Sequence, residues 1–81
     1  MNKDMAITWT KTPECTLKTE VGTTKKFGDV GYVYEGLNGY WTSVYLYEDG
    51  TESDSYFKVK GKAKKSVVEE LKVEIDNGRS E

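Results

Sequence analysis

The chain has 81 residues, of which 32% are charged and 12% aromatic, and its formal net charge is −2. The length predicts a single domain over residues 1–81 with flexible ends at 1–5 and 78–81, and the acidic balance differs from the basic balance of proteins dedicated to nucleic acids. Without histidine the chain lacks the usual general base and metal ligand, and its one cysteine excludes an internal disulfide.

Two segments before residue 27 have strand character. Residues 6–10 are rich in β-forming side chains, and Cys15–Val21 alternates apolar with polar residues, as a half-buried strand does. Pro13 separates the two segments because it removes a backbone donor. An unpaired Cys15–Val21 edge can pair with the same strand of a second copy, so a homodimer through an edge strand is one expectation.

The stretch Val30–Val59 organises the chain. Asn38-Gly39 and Asp49-Gly50 each separate β-rich runs, and such dipeptides favour type I′ turns, which need positive φ at both central residues. We therefore predict three antiparallel strands that are joined by two-residue loops.

Two-residue loops place Val33 opposite Val44 and Tyr32 opposite Tyr45. Because side chains alternate between faces, one face is then aliphatic and the other aromatic. The aliphatic face contains Val33, Val44, Leu46, Phe57 and Val59. The aromatic face contains Tyr32, Tyr34, Trp41, Tyr45, Tyr47 and Tyr56, with Lys58, Lys60, Glu52 and Asp54 beside them.

The C-terminal segment predicts a helix. Ser66 and Glu69 match a capping box, so we expect the helix over Val67–Asn77, with a start near Lys62 as the alternative. Its apolar stripe consists of Val67, Val68, Leu71 and Ile75. Because this stripe needs a cover, we expect it to pack on the aliphatic face.

These elements predict an α+β fold: an antiparallel β-meander of three central strands plus one or two N-terminal strands, with one C-terminal helix packed on one sheet face. No apolar run in the sequence matches a signal peptide or a membrane span. We therefore expect a cytoplasmic protein with no membrane partner, located in the host cell if a phage encodes it.

Catalytic and metal chemistry find little support in the sequence. No residues form a catalytic, metal-binding or cofactor motif, so we expect a protein that is not an enzyme. Cys15 lies on the apolar side of its strand, as a buried thiol does. The oxygen-rich run Glu48–Asp54 lacks the spacing of a calcium loop. We interpret it as a charged hairpin tip, or as a mimic of phosphate charge toward a basic partner.

The aromatic face has three interpretations: cross-strand packing under the N-terminal strands, protein binding and nucleic-acid binding. Five lysines between residues 58 and 65 form the basic cluster that could contact phosphates. The predicted binding residues are Tyr32, Tyr34, Tyr47, Glu52, Asp54, Tyr56, Lys58 and Lys60.

The order of elements from Gly39 to about Ile75 resembles the arm-type DNA-binding domain of tyrosine recombinases and the plant AP2 domain. The resemblance depends on Trp41, Asp49-Gly50, Phe57 and the helix over Ala63–Ile75. It implies a three-stranded sheet that reads DNA from its open face, here with Lys58 and Lys60 as the basic side chains.

As a small acidic chain with a large aromatic surface and no active-site motif, the protein also resembles phage-encoded inhibitors of host machinery, such as anti-CRISPR proteins. The leading hypothesis is a small non-enzymatic protein-binding module that inhibits a host protein or defence complex, so that its partner is another protein. The alternative is a nucleic-acid-binding module that uses the aromatic face and Lys58–Lys65.

Overall fold

The computed structural model describes residues 6–12 and 18–79, and these form a five-stranded antiparallel sheet and one helix. The strands follow one another across the sheet in the order β1-β2-β3-β4-β5. Their bounds are Thr8–Lys11 (β1), Thr19–Thr24 (β2), Gly28–Glu35 (β3), Trp41–Leu46 (β4) and Glu52–Phe57 (β5), and the helix α1 is Lys60–Asp76. The predicted α+β class is confirmed. The expectations for residues 1–5, Pro13 and Cys15 lie outside the described residues.

Both central hairpins have three-residue loops instead of the predicted two-residue loops. In the first, the Gly36 N–H donates to the Tyr40 carbonyl at 2.8 Å and the Gly39 N–H donates to the Gly36 carbonyl at 3.0 Å. Gly39 and Gly50 have positive φ values of 82° and 90°, and no described residue other than glycine has one. Type I′ turns need two such residues, so each loop is a type I turn that ends on a left-handed glycine.

The longer loops shift the register by one residue on both sides of β4. Val33 lies opposite Ser43, and Tyr32 lies opposite Val44. The predicted division into an aliphatic and an aromatic face is therefore wrong, because a shift of one residue exchanges the faces of a strand. Trp41, Tyr45 and Tyr47 lie on the side of α1, whereas Val44 and Leu46 lie on the opposite face.

The core lies between α1 and strands β3 and β4. Its fully buried residues are Val30, Val33, Tyr45, Ala63, Val67 and Leu71, and none of these is more than 2% exposed. Gly31 lets the helix approach closely, since a Cβ at this position would lie 2.5 Å from the Val44 carbonyl oxygen and 3.0 Å from Val67 Cγ1. Opposite it on β2, Gly22 lies beneath the ring of Trp9 in the same way. The two glycines make a depression in the sheet that α1 and Trp9 fill.

The helix begins at Lys60, with Val59 in the N-cap position and no side-chain cap. The predicted capping box at Ser66 and Glu69 is wrong, because both residues lie inside the helix; even the alternative start near Lys62 is slightly late. The C-terminus ends as predicted, at Asn77. There the N–H of Gly78 donates to Ile75 and the N–H of Arg79 donates to Glu74, which is a Schellman motif.

The edges of the sheet are β1 and β5. The predicted free edge at Cys15–Val21 is wrong for Thr19–Val21, the part that lies in β2, because β2 pairs with β1 on one side and with β3 on the other. No helix among the described residues has the length and apolar character needed to cross a membrane.

Candidate functional site: the open sheet face

The face of the sheet opposite α1 carries the candidate site. We call it the open face, because no helix or strand among residues 6–12 and 18–79 packs on it. The register places Tyr32, Val44 and Asp54 in one row across the strands, and Tyr34, Thr42 and Tyr56 in the next. Further residues of the open face are Val21 on β2, Leu46 on β4 and Glu52 on β5.

The middle of the open face is covered by rings from the neighbouring strands. Tyr32 and Tyr34 stack with their ring centroids 6.1 Å apart and their planes at 24°. Thr42 and Val44 on β4 are each only 5% exposed, although α1 lies on the other side of the sheet. Burial raises the pKa of Tyr32, and the negative charges of Glu52 and Asp54 add to this effect.

The rim of the open face along β5 is exposed and acidic. Glu52 and Asp54 are both exposed, and the Tyr56 side chain beside them is 67% exposed. The Tyr56 hydroxyl lies 3.4 Å from Asp54 Oδ2, and the charge of Asp54 raises the pKa of Tyr56. An exposed ring next to two carboxylates suits contact with a cationic surface, because the ring supplies area and the carboxylates supply charge.

Tyr47 does not belong to this site, which corrects one predicted binding residue. Its hydroxyl donates to Glu70 Oε2 on α1 at 3.0 Å and lies 3.3 Å from Ser53 Oγ. Its ring meets the ring of Tyr45 edge to face, with centroids 5.0 Å apart. Tyr47 therefore joins β4 to the helix on the covered side of the sheet.

Lys60 is also displaced from the predicted site, because it is held on the helix side by Glu20. Lys60 Nζ and Lys64 Nζ each lie 2.8 Å from a different oxygen of the Glu20 carboxylate. The same two ammonium groups lie over the rings of Trp41 and Trp9, at 5.4 Å and 5.2 Å from the ring centroids. The hydrogen bonds from Lys60 and Lys64 lower the pKa of Glu20.

The predicted basic cluster is thereby divided. Lys60 and Lys64 are paired with Glu20, and Lys65 lies 3.9 Å from Glu69 on the next helical turn. Lys58 and Lys62 are exposed. Of the eight predicted binding residues, the structure brings together Tyr32, Tyr34, Glu52, Asp54 and Tyr56, with Lys58 just past the end of β5.

A second polar network, which the sequence did not reveal, ties the end of α1 to β4. Tyr45 donates to Glu74 Oε1 at 2.6 Å, and Arg79 Nη1 lies 2.6 Å from both the Tyr45 hydroxyl and Glu74 Oε1. The Arg79 guanidinium also stacks on Phe27, 4.7 Å from the ring centroid. The side chain of Arg79 is 7% exposed, so this part of the predicted flexible tail at 78–81 is packed. Residues 80–81 lie outside the described part.

Burial disfavours the charged form of Glu74, but hydrogen bonds from Tyr45 and the Glu48 N–H, together with the charge of Arg79, outweigh it and lower the pKa. Glu20 and Glu74 thus both have a lower pKa in the folded state than the ordinary value of 4.5. Stability from such carboxylates is present above the unfolded-state pKa and is lost as the pH falls through the folded-state pKa.

We therefore expect Glu20→Gln to lower the free energy of unfolding by about 1 kcal/mol at pH 7, and this difference from the wild type to shrink at acid pH, as the pH falls below 4.5 and through the lowered folded-state pKa of Glu20. Urea denaturation followed by tryptophan fluorescence measures it. Glu69→Gln, which alters an exposed pair, is the control and should match the wild type at both pH values. If the difference in unfolding free energy between Glu20→Gln and the wild type did not change with pH, it would contradict the lowered pKa of Glu20 in the folded protein.

Comparisons of the chain with protein-family models, with curated proteins and with solved structures find no match. Within residues 6–12 and 18–79, no group of three or more histidine, cysteine, aspartate or glutamate residues is placed to hold a metal ion. The features of the molecule that bear on its function are therefore the geometry and charge of the open face.

Proposed function

We propose that this chain is a small, non-enzymatic protein-binding module that acts as an inhibitor by covering a basic surface of another protein with its open face. The observation that carries the proposal is the exposed rim of β5, where Tyr56 is 67% exposed beside Glu52 and Asp54. Tyrosine is one of the usual anchors of protein interfaces, and charged groups are common at the polar rim around such anchors.

The charge of the open face indicates a cationic partner. Glu52 and Asp54 point from β5 to this face, and the adjoining β4–β5 loop adds the exposed residues Glu48 and Asp49. This sign disfavours the phosphate backbone of a nucleic acid, which needs cationic side chains. The pairing of Lys60 and Lys64 with Glu20 further weakens the nucleic-acid alternative, since it removes two lysines from the cluster available to phosphates.

The core of the open face is suited to a stable interface. Tyr32 and Tyr34 are half-buried and stacked, so they lose little freedom on binding, and Val44 beside them is already packed. A partner would therefore meet a pre-formed surface, with exposed carboxylates along its β5 rim.

Charge reversal on the rim tests this function. The double variant Glu52→Lys with Asp54→Lys should retain the protein partner captured from a lysate of the producing cell about 100-fold less well, or tenfold for each reversed charge. Quantitative mass spectrometry of the captured proteins and a titration with the purified partner measure the loss. The partner's inhibition is then read from its own activity with and without the chain.

The matched control carries the same change of net charge on the helix side. Glu69→Lys with Asp76→Lys alters two exposed positions of α1. It should bind the partner as the wild type does, apart from the effect of overall charge on the association rate. If both double variants lose the partner equally, or if neither does, the open face is not the binding surface.

A further inference from the structure

The free edge of the sheet at β5 has a regular pattern of backbone groups. Among the described residues, β5 pairs only with β4, and this pairing runs from Leu46↔Glu52 to Trp41↔Phe57 without a bulge. The strand contains no proline and no lysine, two features that protect many edge strands from further pairing. A six-residue edge without proline or lysine can accept another strand.

The hydrogen-bond pattern identifies which residues of β5 have outward-facing backbone groups. At the start of the hairpin, the Tyr47 N–H donates to the Thr51 carbonyl at 2.8 Å, so this pair is a hydrogen-bonded one. In an antiparallel ladder such pairs alternate with pairs that exchange no hydrogen bonds. Ser53, Ser55 and Phe57 therefore bond to β4. The N–H and C=O groups of Glu52, Asp54 and Tyr56 point to the free edge.

The same three residues project their side chains onto the open face. A strand added to β5 in antiparallel orientation would exchange backbone hydrogen bonds with Glu52, Asp54 and Tyr56, and its own residues at those positions would also point to the open face. Their side chains would stand beside two carboxylates and an exposed ring. Every second residue of the incoming strand would thus make both the backbone hydrogen bonds and the side-chain contacts with β5.

We propose that β5 is a docking edge for an extended basic segment of the partner protein, which adds as a sixth, antiparallel strand with lysine or arginine at the alternate positions opposite Glu52 and Asp54. The inference deepens the proposed function, since it rests on the open face as the binding surface and names the mode of recognition. An apolar or small residue of the segment lies against Tyr56.

Charge argues for such a segment over a second copy of this chain. The antiparallel pairing of two β5 strands that uses all three free positions places Asp54 opposite Asp54 of the copy. Like charges directly opposite each other destabilise a strand pair. Asp54 therefore opposes self-pairing, and Asp54 and Glu52 together favour a strand of opposite charge.

A peptide probe tests the edge directly. A short, acetylated and amidated peptide with lysine alternating with threonine is titrated into isotope-labelled protein up to about 1 mM. We expect slower hydrogen exchange at the amides of residues 52, 54 and 56, while those of Ser53 and Ser55 are already protected. A peptide with glutamate in place of lysine, and one N-methylated at the lysine backbone nitrogens, should each bind at least about tenfold more weakly.

Two substitutions at Tyr56 separate the contribution of its backbone N–H to peptide binding from that of its ring. Tyr56→Ala removes the ring and keeps the N–H, whereas Tyr56→Pro removes both. Because this N–H points away from β4, proline leaves the ladder of the folded protein intact. We expect Tyr56→Pro to bind the lysine peptide about tenfold more weakly than Tyr56→Ala. Far-UV circular dichroism and urea denaturation check that the two variants are equally folded.

The outcomes distinguish this inference from the proposed function. Equal binding by Tyr56→Pro and Tyr56→Ala, equal binding of the N-methylated peptide, or no response up to about 1 mM overturns strand addition. Slow exchange at residues 52, 54 and 56 without peptide, rising with protein concentration, assigns the edge to a second copy and also overturns it. In all these cases, loss of the captured partner by Glu52→Lys with Asp54→Lys still supports the open face; retention of that partner overturns the proposed function itself.

Discussion

Leu71→Ala is expected to lower the free energy of unfolding by about 2–5 kcal/mol. Leu71 is 0% exposed and lies where α1 meets the sheet, among Val33, Tyr45 and Val67. Removing its side chain leaves a cavity that the two packed layers can only partly close. Because net stabilities of domains this small are a few kcal/mol, the variant should be partly unfolded at room temperature.

Urea denaturation followed by circular dichroism measures this loss. Lys72→Ala is the matched control, since Lys72 is the next residue of the same helix and is exposed. It should unfold within about 0.5 kcal/mol of the wild type. If Leu71→Ala and Lys72→Ala unfold alike, the helix does not contribute its buried face to the core.

Gly31→Ala is expected to destabilise the protein by about 1–3 kcal/mol, although it adds one methyl group. The new Cβ would lie 2.5 Å from the Val44 carbonyl oxygen, which is a backbone atom, and 3.0 Å from a methyl group of Val67. The sheet and the helix would have to separate, and the contact of Val67 with β3 would loosen. Thermal and urea denaturation both report this change.

Gly61→Ala is the control for Gly31→Ala, because the same substitution should not destabilise the protein at this position. Gly61 lies in the first turn of α1, and nothing stands within 4 Å of a Cβ placed there. Alanine should leave the free energy of unfolding unchanged or raise it by up to about 1 kcal/mol, because it restricts the unfolded chain and favours the helix. Destabilisation by both substitutions would show that the close approach at Gly31 is not the cause.

The turn dipeptides located both central hairpins correctly, yet they did not determine the loop length. Asn38 and Asp49 use their side chains to close the loops: Asn38 Oδ1 accepts from the Tyr40 N–H, and Asp49 Oδ1 accepts from the Thr51 N–H. This geometry needs positive φ only at the glycine, so an Asn-Gly or Asp-Gly pair fits a two-residue or a three-residue loop equally well. Both predicted registers are off by one residue in the same direction, because both loops are one residue longer than predicted.

The helix was predictable in its stripe and its end but not in its beginning. Val67 and Leu71 are buried as the four-residue spacing predicts, and Gly78 supplies the left-handed stop. The sequence pattern did not predict a helix start at Lys60, because four lysines lie between residues 60 and 65 and cations disfavour a helix N-terminus. Glu20 offsets two of those charges from β2, a contact across 40 and 44 residues that no local pattern contains.

Part of the candidate site followed from alternation within a single strand. Alternation along β5 places Glu52, Asp54 and Tyr56 on one face in any register. Their grouping was therefore predicted correctly, although the register of the strands was not. Tyr47 and Lys60 were misplaced because their positions depended on register and on the start of the helix. The network of Arg79 with Tyr45 and Glu74 had no signal at all, since the only arginine of the chain lies beyond the helix in a polar tail.

The strand order β1-β2-β3-β4-β5 also bears on how fast the protein folds. Each strand pairs with its neighbour in sequence, so every step of sheet formation closes only a short loop, and the entropy lost in closure stays small. Such a meander has a low contact order for a sheet protein, which favours rapid folding. The long-range event is the return of α1 across the finished sheet to Glu20. Docking of the helix is therefore the step that brings together residues 40 and 44 positions apart in the chain.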